Sequence, residues 1–286
     1  MSRDFASPGL SWRRVFMDVL LALAVIYVLS VLVVMFLQRR LIYFPTRLAP
    51  YQAQSAAAAN GFVPWRNRAG QIIGWELPAS APNTGAVLIV HGNAGSAVDR
   101  GYLAKPIHDA APVQVFILEY PGYGAREGSP GKRSLLAAGE EAFEMLTNEA
   151  QIFIVSESLG AGVAAHLAKT HSDRISGLVF FMPYNKLASV AQAKMPIFPV
   201  WLLLWDRFEP EDWLKSYHGP VKIALAERDE VIPMKFGRRL YDTYPGPKSL
   251  QIFPKARHND IAAQPPAWWQ ETFSFWQQHA KGHAEL

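Results

Sequence analysis

Ser158 lies where an apolar strand pattern changes into an alanine-rich helix pattern. A serine projects as a nucleophile from such a sharp turn only if the residues two before and two after it are small. Those residues are Ser156 and Gly160. Choosing Ser156 as the nucleophile instead would put the bulky Ile154 at one of these positions. The S-x-S-x-G pattern therefore predicts a nucleophile elbow that carries Ser158.

Two further side chains follow Ser158 in the order that acyl transfer from such an elbow requires. Asp229 comes shortly after a predicted buried strand at 221–226, and His258 comes shortly after a predicted final strand at 250–253. A serine hydroxyl is a weak nucleophile, so an imidazole must take its proton and return it to the leaving group. We expect His258 to be this base and Asp229 to orient its ring.

Other carboxylates and histidines compete for these roles. Glu227, Glu230 and Asp260 are the rival acids, and we expect Asp260 to be a loop cap or a surface charge. The remaining histidines outside the candidate site are predicted to be surface or structural residues: His108, His166, His171, His218, His279 and His283.

The glycine-containing loop His91-Gly92-Asn93-Ala94-Gly95 follows a short apolar run at 86–90. The tetrahedral intermediate of acyl transfer carries an oxyanion, which two preorganised backbone N–H groups can stabilise. We expect Asn93 and Leu159 to supply these two donors, with a plain glycine turn as the alternative. His91 is expected to make a structural hydrogen bond.

The elements that must position these residues alternate between strands and helices, which predicts an α/β domain with a mostly parallel eight-stranded sheet covered on both faces. The strands are predicted at 62–65, 72–77, 86–90, 113–120, 152–155, 175–181, 221–226 and 250–253, and helices at 134–148, 159–170, 235–244 and 267–279. The predicted division is an N-terminal tail at 1–14, an anchor at 15–37, a linker at 38–60, a catalytic domain at 61–280 and a C-terminal tail at 281–286.

Residues 15–37 are almost wholly apolar, with Asp18 near one end. A helix of this length spans about 34 Å, which is enough for a bilayer core of about 30 Å. No small-x-small cleavage site follows in residues 35–40, so we expect an uncleaved transmembrane anchor, with a buried core helix as the alternative. Arginines flank both ends of this segment, so the side of the membrane that holds the domain stays open.

Composition excludes several other classes of function. The chain has no cysteine, which excludes a disulfide scaffold, and its formal net charge of +4 fits contact with anionic lipid. It has no basic run with interleaved aromatic residues, so no nucleic-acid partner is expected. It also lacks a metal-ligand cluster and a G-x-G-x-x-G motif after a strand, so no cofactor or metal is implied.

A long insertion between the sixth and seventh predicted strands predicts a small cap at about 184–217. Its apolar stretch at 195–205 includes Trp201, Leu204 and Trp205. We expect these three side chains to line a pocket for an acyl chain. The alternatives are that the stretch dips into a bilayer surface, where tryptophan is common, or that it packs on the core.

The chain resembles the membrane-anchored α/β-hydrolase-domain proteins, a family that includes acyl-protein thioesterases and monoacylglycerol lipases. The motifs that carry this resemblance are Arg40-Leu41-Ile42-Tyr43-Phe44-Pro45, His91-Gly92-Asn93-Ala94-Gly95, Glu119-Tyr120-Pro121-Gly122-Tyr123-Gly124, Ser158-Leu159-Gly160, Asp206-Arg207-Phe208, Glu227-Arg228-Asp229-Glu230-Val231-Ile232-Pro233 and His258-Asn259-Asp260. The chain departs from the family at Ser156, where glycine is usual, and at Pro121, where arginine is frequent. The resemblance implies the α/β-hydrolase fold and a serine hydrolase that acts on acyl esters, thioesters or amides.

The function predicted from the sequence is a membrane-anchored serine hydrolase that cleaves acyl esters or thioesters, preferably lipid-like ones, through an acyl-enzyme. One alternative is a serine aminopeptidase, which would need a carboxylate near the cap, such as Glu209 or Glu211, to bind a free amine. The other alternative is a non-catalytic scaffold that binds a lipid or a protein. The oligomeric state is not predicted.

Overall fold

The computed structural model of the protein describes residues 12–79 and 84–280. Most of the predicted N-terminal tail and the whole of the predicted C-terminal tail lie outside the described residues. The chain forms two compact units, the first of which ends at Leu41, and the second begins at Ile42.

Helix α1, Trp12–Ile42, is longer at both ends than the predicted anchor. Among the described residues it is the one helix that is long and apolar enough to cross a membrane, with a mean hydropathy of 3.0 in its most apolar window. None of that window is buried in the structure. A helix that is apolar on all faces belongs in a protein core or in lipid.

The second unit is built on an eight-stranded sheet, which confirms the predicted fold class. Its strands are β1 (Val63–Arg66), β2 (Ile72–Leu77), β3 (Ala86–Val90), β4 (Gln114–Leu118), β5 (Ile152–Glu157), β6 (Ile175–Phe181), β7 (Val221–Ala226) and β8 (Lys248–Phe253). Their spatial order is β8-β7-β6-β5-β3-β4-β2-β1. Neighbouring strands are parallel from β8 to β4, and β2 is antiparallel to both β4 and β1.

The central strands form because their side chains are apolar on both faces. All residues of β3 and β5 are buried, as expected for parallel strands covered by helices on each side. Four strands have the predicted bounds, and the other four differ by at most two residues at either end.

Helices cover both faces of the sheet. They are α2 (Pro50–Ala59), α3 (Gly101–Ala110), α4 (Lys132–Met145), α5 (Gly160–Thr170), α6 (Leu187–Lys194), α7 (Val200–Leu203), α8 (Pro210–Trp213), α9 (Met234–Thr243) and α10 (Pro266–Ala280). One core cluster joins the sheet to α4, α5 and α9, and a second joins it to α2, α3 and α10. Helix α2 lies in the predicted linker, and α3 contains His108, which was predicted to lie in a helical stretch.

The region of the predicted cap contains α6, α7, α8 and a short 3₁₀ turn at Leu214–Ser216. It leaves the sheet at the carboxyl end of β6, which is the edge where ligands bind in open α/β sheets. The Lys194 ammonium group at the end of α6 donates to the Glu230 carbonyl, in the loop after β7. The cap segment therefore lies at the same edge as the loops that carry the predicted catalytic residues.

Candidate active site

Ser158 lies in the turn between β5 and α5, as the elbow pattern predicts. Its φ of +48° is in the left-handed region, which is unfavourable for a residue other than glycine. Its backbone N–H donates to the Phe181 carbonyl at 2.9 Å. Such a strained backbone persists only where surrounding structure fixes it, and this hydrogen bond to the end of β6 contributes to that fixation.

The flanks of Ser158 explain why small residues are needed. A Cβ atom at Gly160 would lie 2.1 Å from the Val90 carbonyl oxygen, so no side chain fits there. The hydroxyl of Ser156 is fully buried and donates to the Val179 carbonyl at 3.1 Å. Serine is thus accommodated where the family usually has glycine.

The structure brings the three predicted side chains into one hydrogen-bonded chain. His258 Nδ1 lies 2.7 Å from Asp229 Oδ2, and His258 Nε2 lies 3.1 Å from Ser158 Oγ. Because the carboxylate must accept from Nδ1–H, Nε2 is left to accept the proton of the serine hydroxyl. All three residues are buried. This arrangement has the geometry that general-base activation of a serine requires.

Asp229 is held by the backbone of its own loop. Its Oδ1 atom accepts hydrogen bonds from the N–H groups of Val231 at 2.8 Å and Ile232 at 2.7 Å. These bonds direct the other carboxylate oxygen towards His258.

The rival acids make contacts elsewhere. Glu227 accepts a hydrogen bond from the Lys255 N–H at 2.8 Å, and Asp260 accepts one from the Arg257 N–H at 2.8 Å. Asp260 therefore caps its own loop. Among Glu227, Asp229 and Asp260, it is Asp229 whose carboxylate has a hydrogen bond to His258.

The loop after β3 lies beside the serine. A Cβ atom at Gly92 would lie 3.5 Å from the Cβ atom of Ser158, which shows how closely the loop passes the serine. Asn93 follows Gly92, and Leu159 follows Ser158 at the start of α5. The backbone N–H groups of Asn93 and Leu159 remain the predicted oxyanion donors.

Asn93 is fixed by Ile42, the last residue of the apolar helix, and by Phe44 and Tyr123, which the sequence analysis did not identify. Its side-chain amide donates to the Ile42 carbonyl at 3.0 Å. Its own carbonyl accepts from the Phe44 N–H at 2.8 Å and from the Tyr123 hydroxyl at 2.8 Å. The segment 42–46 then continues beside the loop, where Phe44–Pro45 pairs in parallel with Ala94–Gly95.

The same segment is bonded to the cap. The Tyr43 hydroxyl donates to Asp206 Oδ2 at 3.0 Å, and both side chains are buried. Burial and the adjacent Asp206 carboxylate raise the pKa of Tyr43 well above its usual range. Tyr43 and Asp206 belong to two of the motifs that carry the family resemblance, but 163 residues separate them, so spacing alone does not reveal the pair.

Glu157, directly before the serine, is a second feature that the sequence analysis missed. Its buried carboxylate accepts from the Tyr102 hydroxyl at 2.7 Å and lies 3.1 Å from Arg100 Nε. Burial and the neighbouring Glu157 raise the pKa of Tyr102. These contacts tie the end of β5 to the start of α3.

His91 is fully buried between aromatic rings. Its Nδ1–H donates to the Gly92 carbonyl at 2.9 Å, and its ring lies 4.4 Å from that of Tyr120. These contacts are those of a structural histidine that supports the loop after β3.

The three predicted substrate-binding residues divide into two groups. Leu204 is buried, whereas Trp201 and Trp205 are more than half exposed. Within residues 12–79 and 84–280, no group of three or more His, Cys, Asp or Glu side chains is arranged to hold a metal ion.

Known proteins with similar sequences show the family to which this chain belongs. A family model described as the alpha/beta hydrolase fold matches residues 85–210. An uncharacterized protein of Mycobacterium tuberculosis is 33% identical to this chain over 238 residues, which cover 80% of this chain and 84% of that protein. The chain belongs to the α/β-hydrolase family.

Other members of this α/β-hydrolase family include a curated mouse relative named lysophosphatidylserine lipase ABHD12. It is 26% identical over 211 residues, which cover 66% of this chain and 52% of the mouse protein. Among solved structures, a Pyrococcus furiosus esterase matches with a TM-score of 0.61 at 16% identity, over 84% of this chain and 98% of that one. A Paleococcus ferrophilus monoacylglycerol lipase matches with a TM-score of 0.53 at 19% identity, over 73% of this chain and 98% of that one. At these identities the two structures show the shared fold alone.

Proposed function

We propose that this α/β-hydrolase is a membrane-anchored serine hydrolase that cleaves acyl esters or thioesters through a Ser158–His258–Asp229 triad. The observation that carries the proposal is the hydrogen-bonded chain from Ser158 Oγ through both ring nitrogens of His258 to Asp229. These hydrogen bonds begin at a strained elbow beside the loop that contains Gly92. A substrate carbonyl there would meet the Ser158 hydroxyl and the two expected backbone N–H donors.

The reaction proceeds in two displacement steps. Ser158 Oγ attacks the acyl carbon while His258 Nε2 takes the hydroxyl proton, and the imidazolium formed is stabilised by Asp229. The tetrahedral oxyanion is bound by the N–H groups of Asn93 and Leu159, each worth about 10²–10³ in turnover. His258 then protonates the leaving alcohol or thiol, which yields the acyl-enzyme. A water molecule, deprotonated by His258, then attacks the acyl carbon, the bond to Ser158 Oγ breaks, and His258 returns the proton to Oγ as the acid leaves.

Lipid-like substrates are favoured by the apolar helix α1. A helix of 31 residues is about 46 Å long, more than a bilayer core requires. A hydrolase held at a membrane meets lipids at a high local concentration. The name of the mouse relative, a lysophosphatidylserine lipase, supports the same substrate class.

The aminopeptidase alternative is weakened by the contacts of Glu211. Arg239 binds both of its carboxylate oxygens, and Asn185 donates to Oε2 at 2.7 Å. Although burial raises the pKa of Glu211, these hydrogen bonds lower it below the ordinary value. This carboxylate is thus already paired and is a poor partner for a substrate amine.

The test is a hydrolysis assay of the full chain in detergent, with ester and thioester series that differ in acyl chain length. Ser158→Ala is the background control in every assay. We expect wild type to cleave esters or thioesters, with long acyl chains preferred over short ones. Faster cleavage of short, soluble esters would contradict the lipid preference, and no cleavage of any member by folded wild type would contradict the hydrolase itself.

A further inference from the structure

Four large apolar side chains within residues 197–205 of the cap are more than half exposed, and they are here called the cap face. Its members are Ile197 (70% exposed), Trp201 (63%), Leu202 (60%) and Trp205 (52%). Single exposed apolar residues are ordinary on protein surfaces, but several together mark an interaction surface.

The backbone that carries the cap face is held in place by hydrogen bonds. The side chain of Gln192 accepts from the Val200 N–H at 3.0 Å and donates to the Phe198 carbonyl at 2.9 Å. Helix α7 is therefore attached at its start to the end of α6, although it is only four residues long. The exposure of Trp201 and Leu202 is thus a built feature of the cap.

The end of α7 has its carbonyl groups bonded within the protein. The guanidinium of Arg207 donates to the carbonyls of Trp201 at 2.8 Å, Leu202 at 3.2 Å and Leu204 at 3.0 Å. The last carbonyls of a helix lack partners within the helix, and at a protein surface water can serve them. Lipid offers no such donors, so a helix that enters lipid must bond these groups internally. Arg207 does this.

The cap face is next in the chain to a residue that is hydrogen-bonded to the segment directly after α1. Trp205 precedes Asp206, which is hydrogen-bonded to Tyr43. Tyr43 in turn directly follows Ile42, the last residue of the apolar helix α1. The cap face is therefore connected, through one hydrogen bond and a few residues, to the point where α1 ends.

We propose that the cap face enters the interfacial layer of a lipid bilayer, the same bilayer that α1 spans. The inference rests on the proposed anchor and adds a second membrane contact at the catalytic edge of the sheet. Tryptophan is enriched at membrane interfaces, and leucine gains from leaving water. The contact would bring the edge of the sheet that carries Ser158 close to the layer that holds lipid substrates.

The absence of cysteine from the chain makes a direct test simple, because one introduced cysteine gives one labelling site. Nitroxide labels at Leu202→Cys, Ala24→Cys and Asn148→Cys are compared in the full chain in lipid nanodiscs. Collision with oxygen, which partitions into lipid, is measured against collision with a water-soluble nickel chelate. Ala24 lies within α1, and exposed Asn148 lies before β5, at the opposite edge of the sheet. Each variant must retain labelling by a fluorophosphonate, which reports a folded site.

We expect the Leu202 label to collide more often with oxygen and less often with nickel than the Asn148 label does. A Leu202 label that behaves like the Asn148 label, while the Ala24 label lies in lipid, would overturn the inference and leave the anchor intact. An Ala24 label as open to nickel as the Asn148 label would refute the anchor, and the inference with it.

Discussion

The nucleophile elbow and the cap face lie at the same edge of the sheet but are built in opposite ways. At the elbow, polar side chains are buried and bonded to one another, as in the chain from Ser158 to Asp229. At the cap face, internal hydrogen bonds fix the backbone, and large apolar side chains are more than half exposed. The two regions therefore have different proposed roles. In the proposed function the elbow supplies the chemistry of acyl transfer, and in the further inference the cap face contacts the lipid from which the substrate arrives.

The largest effect should come from the elbow region through Asp229→Asn. Loss of the carboxylate leaves His258 without the acceptor that fixes its Nδ1–H, so its ring can present the wrong tautomer to Ser158. We expect kcat to fall by about 10⁴-fold, the magnitude known for the equivalent change in a serine protease. Steady-state kinetics on a soluble ester measures it.

Asp260→Asn is the matched control for Asp229→Asn, because it changes a carboxylate that caps the neighbouring loop. It should leave kcat within about threefold of wild type, as expected for loss of a surface cap. Equal losses in the two variants would mean that Asp229 has no special role.

A smaller effect is expected from Tyr43→Phe, which removes the hydrogen bond between the segment 42–46 and Asp206 of the cap. Tyr43 sits between Ile42 and Phe44, whose backbone groups hold Asn93. A weakened segment would misplace the Asn93 N–H, so kcat should fall about tenfold while KM changes little, the result of losing about 1.4 kcal/mol in the transition state.

Tyr51→Phe provides the matched control for this change, since Tyr51 is largely exposed on α2. It should behave as wild type. A Tyr43→Phe variant with unchanged kcat and a lower melting temperature would show that the bond stabilises the fold without positioning the oxyanion donor.

The cap face is tested functionally by Leu202→Glu. Transfer of a charged side chain into the interface is unfavourable, so activity on an ester embedded in vesicles should fall about fivefold relative to activity on a soluble ester. The ratio of the two activities is the measurement. Val63→Glu, at an exposed position on edge strand β1, should leave that ratio unchanged. An equal change in both variants would point to a general charge effect.

Lys222 in the sheet interior provides a reference measurement, because its titration should depend on neither the elbow nor the cap face. Burial lowers the pKa of Lys222 to about 8, and its ammonium group donates to Thr272 at 2.9 Å. Between pH 8 and the ordinary value of 10.5, the unfolded chain binds more protons at this residue than the folded chain, so stability rises with pH.

Lys222→Met removes this dependence. The free energy of unfolding of wild type relative to the variant should therefore increase as the pH rises from 8 to 10, by at most about 1.4 kcal/mol per pH unit. Chemical denaturation at each pH measures it. A difference that stays constant over this range would mean that Lys222 titrates normally.

Much of this architecture could be predicted from the sequence because it depends on local composition. Strands such as β3 are continuous apolar runs between turns, which is the pattern that burial on both faces imposes. The elbow could be predicted because steric limits at Ser156 and Gly160 act over five residues. The order of Ser158, Asp229 and His258 likewise follows the chain, and the structure brings these side chains together.

The features that escaped prediction depend on contacts between distant segments. No periodicity reveals that Tyr43 meets Asp206, or that Ile42 and Phe44 hold Asn93. The exposure of Trp201 could not be predicted either, because a four-residue helix is too short to show a hydrophobic face.

The central claim, an activated Ser158, is tested most directly by labelling detergent-solubilised protein with a fluorophosphonate probe. Wild type is compared with Ser158→Ala, His258→Ala and Ser156→Gly, the last of which restores the residue usual in the family two positions from the nucleophile. We predict labelling in wild type and Ser156→Gly, and its loss in Ser158→Ala and His258→Ala. Absence of labelling in folded wild type, or labelling that survives in Ser158→Ala, would contradict the account.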